Sequence, residues 1–423
     1  MRLVILNQFF HPDHSATSQL MTDLAEGLVG RGFAVTALAG RGRYNGGGGL
    51  APREVYRGVR VERAWATGFG KASPAGRLAD YFTFYLGAAW KLLTLPRHDV
   101  VMALTTPPLV GLLALAACRL RGMRLAALVE DVYPDVAVAL GTLRAGSLLA
   151  RALDRLNRLT LARADRVIVL GECMRERVAA KAGRGGGCGR IDVIHNWADG
   201  RLVRPLADGE RNAFAEAHGL AGRFVVEFSG NLGRVNDFDT PLEAARLLEG
   251  REDILFLFVG DGAKADEIRD FVGRHGLSNV RLLPYQPRES LPYSLAAGSA
   301  HLVTLAEGLA GLCVPSKTYG ILAAGRPVLF VGDPLSDAAR LVSGNGCGAV
   351  FPAGDARGLA RVIAEWADDP ARVREMGGAA RRLFLRRFDR PLAVEAYAES
   401  LLKCLGPRPA AGAGAGPKPP GEV

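Results

Sequence analysis

Long apolar runs and ordered cysteine patterns are what this chain lacks. Its apolar stretches, such as Pro107 to Cys118, fall well short of the roughly 20 residues needed to span a bilayer, so any membrane contact is expected to be peripheral. The segment MRLVILNQFF lacks the long apolar stretch and small-residue cleavage site of a secretory leader; it reads as a first strand, and a cytoplasmic protein is expected. Cys118, Cys173, Cys188, Cys313, Cys347 and Cys404 lie far apart, with no Cys-x-x-Cys, which argues against a disulfide framework or zinc module and predicts reduced, mostly buried thiols. His11 and His14 are spaced like a ligand pair, but Pro12 interrupts any helix and no further ligand is evident, so no metal is expected. There is no Walker A lysine motif and no convincing Gly-x-Ser-x-Gly elbow, so P-loop NTPase and hydrolase readings are poor. Lysine plus arginine (53) exceeds aspartate plus glutamate (43), a net charge of +10 that favours an anionic partner. Without an RNP-type aromatic motif, that partner is not expected to be nucleic acid.

What is present is a globular composition: 423 residues, 49% hydrophobic and 23% charged. At roughly 100 to 200 residues per domain, two domains are expected. From Leu3 the chain alternates apolar strands (Leu3 to Leu6, Val35 to Ala39, Val100 to Leu104, Leu125 to Val129, Val167 to Leu170, Ile191 to Ile194) with helical patterns, beginning with a helix from about Thr17. A second series runs through FVVEF at 224, ILFLFVG at 254, VRLLP at 280, HLVTL at 301 and PVLFVG at 327. The fold class is therefore α/β, with two Rossmann-like doubly wound domains facing across a cleft at the carboxyl ends of their strands. The boundaries are 1–197 for the first domain, 198–222 for a polar linker and 223–388 for the second domain. The Gly/Ala/Pro-rich residues 405–423 predict a disordered tail, and the glycine-rich loops at 43–50 and 184–189 are expected to be mobile.

Two stretches carry candidate chemistry. In FSGNLGRVNDFDTPLEAARLL (228–248) a strand ends in Gly230-Asn231-Leu232-Gly233-Arg234, and a helix is expected around Pro241 behind Asp239 or Thr240 as its cap. The glycines permit close backbone approach and Arg234 offers several donors to a diphosphate; a plain turn with a solvated arginine fits the stretch alone equally well. In GLCVPSKTYGILAAGRPVLFVGD (311–333), Ser316 and Thr318 sit where a helix N-terminus could hold a phosphate, and Lys317 adds a full charge; a structural cap with an exposed lysine is the alternative. Arg234 and Lys317 gain weight together because each follows a strand of the same predicted sheet.

These motifs resemble the GT-B retaining glycosyltransferases of family 4, in particular the bacterial branch that builds O-antigen, capsule and exopolysaccharide. The resemblance covers about residues 1 to 404, through NQFFHPDHSATSQLMTDLAEGLVGRGFAVTALAGR at the start, TTPPLVGLLA at 105, EDVYPDVAVALG at 130, IHNWAD at 194, FSGNLGRVNDFDT at 228, FVGDGAKADEI at 258 and VPSKTYGILAAGRPV at 314. It implies an N-terminal acceptor domain, a C-terminal nucleotide-sugar donor domain and a C-terminal helix at 389–404 crossing back to the first domain. It also implies that Arg234 and Lys317 neutralise the donor diphosphate. Gly230, Asn231, Gly260, Gly262, Ser316 and Thr318 would bind the donor, and Pro284 and Tyr285 would receive its base. The loop at Ser15, Ala16 and Thr17 would face the acceptor and the phosphates.

Two departures stand out. The family's Glu-x7-Glu carboxylates fall at Leu312 and Gly320 here, with Glu307 a candidate substitute, and Glu130-Asp131 occupies the region where a histidine often follows a central strand. One or both of Glu130 and Asp131 are candidates for sugar or acceptor contact. The implied chemistry is same-face displacement, with the leaving diphosphate taking the acceptor proton and no metal cofactor. The implied partners are a UDP-linked nucleotide sugar, a polyprenyl-diphosphate-linked glycan acceptor and an anionic membrane surface on the cytoplasmic side. A nucleotide-sugar 2-epimerase and a non-catalytic nucleotide-sugar-binding subunit are the alternatives. Two segments fit the membrane reading. Tyr81 to Leu95 carries Tyr81, Phe82, Phe84, Tyr85 and Trp90 between Arg77, Lys91 and Arg97, as an interfacial or a core helix would. In 144–163, Arg144, Arg151, Arg155 and Arg158 form one helical stripe, either solvated or lipid-facing, with Leu149, Leu153 and Leu156 opposite.

Overall fold

The computed structural model describes residues 1–13, 15–42, 49–69, 74–183, 188–207 and 209–406. His14, most of the loops at 43–50 and 184–189, and nearly all of the expected tail at 405–423 lie outside the described residues. The first sheet holds β1 (Arg2–Leu6), β2 (Ala34–Gly40), β3 (Arg53–Tyr56), β4 (Val59–Ala64), β5 (Val100–Ala103), β6 (Arg124–Val129), β7 (Arg166–Val169) and β8 (Ile191–Val193), in the order β3-β4-β2-β1-β5-β6-β7-β8. Around it run α1 (Ala16–Val29), α2 (Pro74–Thr94), α3 (Val110–Arg121), α4 (Asp135–Ala139), α5 (Leu148–Arg163) and α6 (Glu172–Ala182). All neighbouring strands of this sheet are parallel except β3 and β4, which form an antiparallel hairpin at the edge.

After α7 (Ala213–Ala217) the second sheet begins, comprising β9 (Phe224–Ser229), β10 (Ile254–Val259), β11 (Val280–Leu283), β12 (Ala300–Thr304), β13 (Val328–Val331) and β14 (Gly348–Phe351). Its order is β11-β10-β9-β12-β13-β14, all parallel. Its helices are α8 (Asp239–Leu247), α9 (Ala265–His275), α10 (Leu291–Ala297), α11 (Lys317–Ala323), α12 (Asp337–Gly344), α13 (Ala356–Asp368) and α14 (Pro370–Arg387), followed by α15 (Arg390–Lys403). The strands are continuous apolar runs because helices cover both faces; every residue of β10 and of β13 is buried. Local chemistry sets the helix starts. Ser147, Ser336, Asp355 and Asp369 each accept a hydrogen bond from a first-turn amide, and Pro370 occupies the opening position of α14, where its missing N–H costs nothing.

Four expectations change. The hairpin β3-β4 and the edge strand β14 are additional to the expected strands, and the segment 198–222 contains α7, with Phe214 buried. Helix α8 begins at Asp239 and is capped from Asp237, whose carboxylate accepts from the Asp239 amide at 3.0 Å and the Thr240 hydroxyl at 2.6 Å, so Asp239 and Thr240 are inside the helix and not its cap. On α5, Leu153 and Leu156 are half-buried but Leu149 is exposed, because it lies in the first turn beyond the edge of the packed surface.

One apolar core runs through both halves. It joins the first sheet to α11, α14 and α15, while smaller clusters fill the remaining faces of the second sheet. The last helix packs on α1 and beside β7, and Gly27 makes room for it: a Cβ there would come 2.5 Å from Val394 Cγ2. Ser400 donates to Asp192 at 2.7 Å, and Tyr397 meets Trp197 edge to face at 5.6 Å. The Tyr397 hydroxyl is buried without a hydrogen-bond partner among the described residues.

Tyr397 separates the value of the ring from that of the hydroxyl. In urea denaturation Tyr397→Phe is expected to match or exceed wild-type stability, since an unsatisfied buried hydroxyl costs about 1–3 kcal/mol. Tyr397→Ala is expected to lose about 3–5 kcal/mol through the cavity it leaves.

Candidate active site

The loops after β9, β10 and β12 converge at the carboxyl edge of the second sheet, and glycine allows two of them to touch. At Gly260 φ is +144°, and a Cβ would lie 2.0 Å from the Gly230 carbonyl oxygen; at Gly262 it would lie 2.6 Å from that of Leu232. Amides then lock the two turns together, from Leu232 to the Asp261 carbonyl and from Lys264 to the Leu232 carbonyl, both at 2.9 Å.

Asn236 ties this assembly to the helix opposite. It is buried, its amide nitrogen donates to the carbonyls of Asn231 and Gly233 at 3.1 Å, and its side-chain oxygen accepts from the Thr304 hydroxyl at 3.3 Å and from Lys317 Nζ at 3.2 Å. Lys317 stands at the start of α11, and its ammonium lies 3.5 Å from the centre of the Phe228 ring, at cation–π distance. Among the described residues no carboxylate forms a salt bridge with it, and loss of hydration pushes its pKa down to about 7.

Lys317 lines a cavity of about 500 Å³ between the two halves, a size suited to a small organic ligand. The first half contributes Ala16, Gln19, Leu20 and Asp23, one face of α1 at helical spacing, together with Asp131 and Trp197. The second half contributes Gly230, Asn231, Ser316, Lys317, Gly320 and Arg288 among others. Arg288 reaches Asp23 at 3.2 and 3.3 Å, while Arg390 of α15 holds Glu26 at 3.1 Å and Asp199 at 3.2 Å. Backbone pairing crosses between the halves beside the cavity: the Val132 amide donates to the Leu312 carbonyl at 2.8 Å, and Asp131 bridges Cys313. Burial pushes Asp131 up to about 6; burial, then the neighbouring Asp131, pushes Glu130 up to about 7.

The predicted residues separate into three groups. Gly230, Asn231, Ser316, Lys317 and Asp131 line the cavity. Gly260, Gly262 and Thr318 shape it from behind, the Thr318 hydroxyl being spent on the Pro315 carbonyl at 2.9 Å and so unavailable to a phosphate. Glu130 does not line the cavity; its environment includes a hydrogen bond from Asn196. The remainder are displaced from the cavity wall. Arg234, Pro284 and Tyr285 are exposed outside it, and Tyr285 donates to the Asp261 carbonyl at 3.2 Å. Neither Ser15, which precedes α1 in extended backbone, nor Thr17, on a different face of α1 from Ala16, Gln19 and Asp23, lines the cavity. Glu307, the candidate substitute for the carboxylates absent at Leu312 and Gly320, is exposed and is not part of the cavity lining. Sequence reasoning missed Asp23, Asn236 and Arg288; the four-residue spacing of Gln19 and Asp23 was the one available signal.

Residues 17–197 match the family described as Glycosyl transferase 4-like domain, and residues 210–383 match Glycosyl transferases group 1. A glycosyltransferase of Pseudomonas aeruginosa, WbjE, is 30% identical over 321 residues, 76% of this chain and 78% of that protein. A colanic acid biosynthesis glycosyl transferase of Escherichia coli (strain K12), WcaI, is 26% identical over 245 residues, covering 57% and 58% of the two chains. Among solved structures, Anabaena HepE in complex with UDP and glucose shares the fold with a TM-score of 0.73 at 18% identity, over 95% of this chain and 99% of that one. WaaG, a glycosyltransferase involved in lipopolysaccharide biosynthesis, does so with a TM-score of 0.69 at 15% identity, over 96% and 100%. The chain belongs to the GT-B glycosyltransferases of family 4.

The displaced lysine pKa has a signed consequence for stability. Between about 7 and the ordinary lysine value of 10.5 the unfolded chain binds more protons at Lys317 than the folded one, so this residue makes stability rise with pH across that window. Lys317→Met is expected to remove that slope. In urea denaturation at pH 6, 7.5 and 9, the variant should gain most over wild type at pH 6 and least at pH 9. Asn236→Ala, which leaves loop carbonyls and the lysine without their shared partner, is expected to cost about 1–3 kcal/mol.

Proposed function

We propose that this family 4 glycosyltransferase moves a sugar from a nucleoside diphosphate, UDP-linked, to a polyprenyl-diphosphate-linked glycan at the cytoplasmic membrane face, with retention of the anomeric configuration. The observation that carries the reading is a cation in the interdomain cavity whose partners among the described residues are an amide and an aromatic ring. A diphosphate supplies the missing negative charge, and its binding restores the proton that burial disfavours. The UDP and glucose held by HepE, and the biosynthetic role in WcaI's name, support the donor class and the polysaccharide context.

In this reading Lys317, with the Gly230-Asn231 backbone and Ser316, binds the diphosphate. Arg234 turns inward from the rim when the donor enters, adding bidentate hydrogen bonds to the leaving group. Pro284 and Tyr285 at the same rim receive the base. Asp131, presented by the first half next to Cys313, takes sugar hydroxyls in place of the carboxylates missing at Leu312 and Gly320. Transfer on one face of the sugar asks for positioning and charge stabilisation, and the departing phosphate oxygen itself accepts the acceptor proton. Two protein cations offset the diphosphate charge without a metal. Among the described residues no helix is long and apolar enough to cross a membrane, so contact with the lipid acceptor is peripheral in this reading.

Calorimetry with UDP, GDP, ADP and TDP tests the site. UDP is expected to bind selectively, and Arg234→Ala and Lys317→Ala are expected to weaken it while remaining folded. With a UDP-sugar and acceptor, either substitution should raise the barrier by about 2–4 kcal/mol, by analogy with loss of one oxyanion-hole donor. If none of the four nucleotides binds, or both variants bind UDP as well as wild type, the site assignment is wrong.

A further inference from the structure

Helix α2 presents two different faces. Phe84, Ala88 and Leu92 point into the core, as ordinary helix packing requires. On the opposite side Leu78, Phe82, Leu86 and Trp90 follow one another at four-residue steps, with Leu93 continuing the row, and all are 46–69% exposed. At 1.5 Å per residue the row is about 22 Å long. Trp65 and Phe69 widen it. The segment that bears them is pinned along the helix, with the Thr67 amide donating to Thr83 Oγ1 and the Phe69 amide to Asp80 Oδ1, both at 3.0 Å. Gly87 admits this segment: a Cβ there would lie 2.5 Å from the Trp65 carbonyl oxygen. A soluble monomer rarely exposes so continuous an apolar surface without a use for it.

The charges around the row identify what covers it. Arg77 lies in its first turn, Arg97 just past its end, and α3, packed beside α2, ends in Arg119 and Arg121 and carries no acid. The one acid of α2, Asp80, accepts from Thr67 and Phe69, and Lys91 is neutralised by Glu62 at 2.6 Å. A second copy docked by the same face in antiparallel register would bring arginines opposite arginines. A flat helix with a leucine and aromatic row flanked by arginines instead matches the headgroup region of an anionic bilayer: the rings settle at the interface and the guanidinium groups reach lipid phosphate.

We infer that the outer face of α2, with Trp65 and Phe69, seats in the interface of an anionic phospholipid membrane. The inference rests on, and sharpens, the peripheral part of the reading above. Docking there places the bilayer close to the site. The Tyr85 hydroxyl of α2 donates to the Pro108 carbonyl, in the same loop as Thr105, whose hydroxyl accepts from the Glu130 and Asp131 amides at 3.3 Å. The lipid of an acceptor can thus stay in the membrane while its head group reaches the cleft.

The test is co-sedimentation of the full chain with vesicles of phosphatidylcholine alone and of phosphatidylcholine with phosphatidylglycerol at three to one. Wild type is expected to partition onto the anionic vesicles. The Phe82→Ser/Trp90→Ser double variant should lose about a hundredfold in partition. The Arg77→Ala/Arg97→Ala double variant should lose about thirtyfold, from about 1 kcal/mol per arginine, and only on the anionic vesicles. Circular dichroism establishes that both are folded, and UDP calorimetry on the same preparations separates the two readings. Vesicle binding lost with UDP binding intact supports the α2 surface. Vesicle binding through α2 without any nucleotide binding overturns the donor site and leaves the surface standing. Wild type that partitions no better than the double variants overturns the inference, as does light scattering showing a dimer that Phe82→Ser/Trp90→Ser splits.

Discussion

A half-buried positive charge with no acid in a salt bridge to it among the described residues is what the cleft is organised around. Lys317 sits against an aromatic face and one amide oxygen, an arrangement that compensates an ammonium only in part. The protein accepts this cost because the surrounding backbone leaves little choice: the glycine turns after β9 and β10 interlock, Asn236 fastens them to β12, and the lysine is what that frame presents to the cavity. Such a site is electrostatically incomplete until an anion enters. In the proposed reaction, that incompleteness lies where charge develops as the diphosphate departs.

How far this was legible in the sequence depends on how far apart the cooperating residues are. Buried parallel strands such as ILFLFV announce themselves as continuous apolar runs, and the order of strands and helices fixed the fold class. Strand β3, Arg-Glu-Val-Tyr, has no buried residue, and β14 is short and half-buried, so neither carries that signal. Lys317 was legible because it lies in a short local motif. Asn236 serves Thr304 and Lys317, 68 and 81 residues away, and Arg288 meets Asp23 across 265 residues, so their roles exist only once the chain has folded. Thr318 shows the opposite failure: its hydroxyl looked available in sequence, but the backbone three residues earlier uses it.

The same logic bears on the carboxylates absent from the family's usual places. Leu312 is 4% exposed and belongs to the apolar core that runs through both halves, while its carbonyl accepts the Val132 amide. An acid at that position would have to bury its charge in hydrocarbon. Pairing the two halves there brings Asp131 to the cavity instead. A contact that fastens the two halves therefore also sets which acid lines the cavity.

The final helix imposes an order of events on synthesis. Strand β8 ends at Val193, yet the surface of α1 and the ring of Trp197 are covered only when α15 arrives, about 200 residues later. At about 5–20 residues per second, the ribosome needs roughly 10–40 s to make that interval. For that time the leading half of the nascent chain waits with part of its core uncovered. Its own sheet is complete, but its last packing partner has not been translated, so apolar surface that the finished fold buries stays open while the rest is being made.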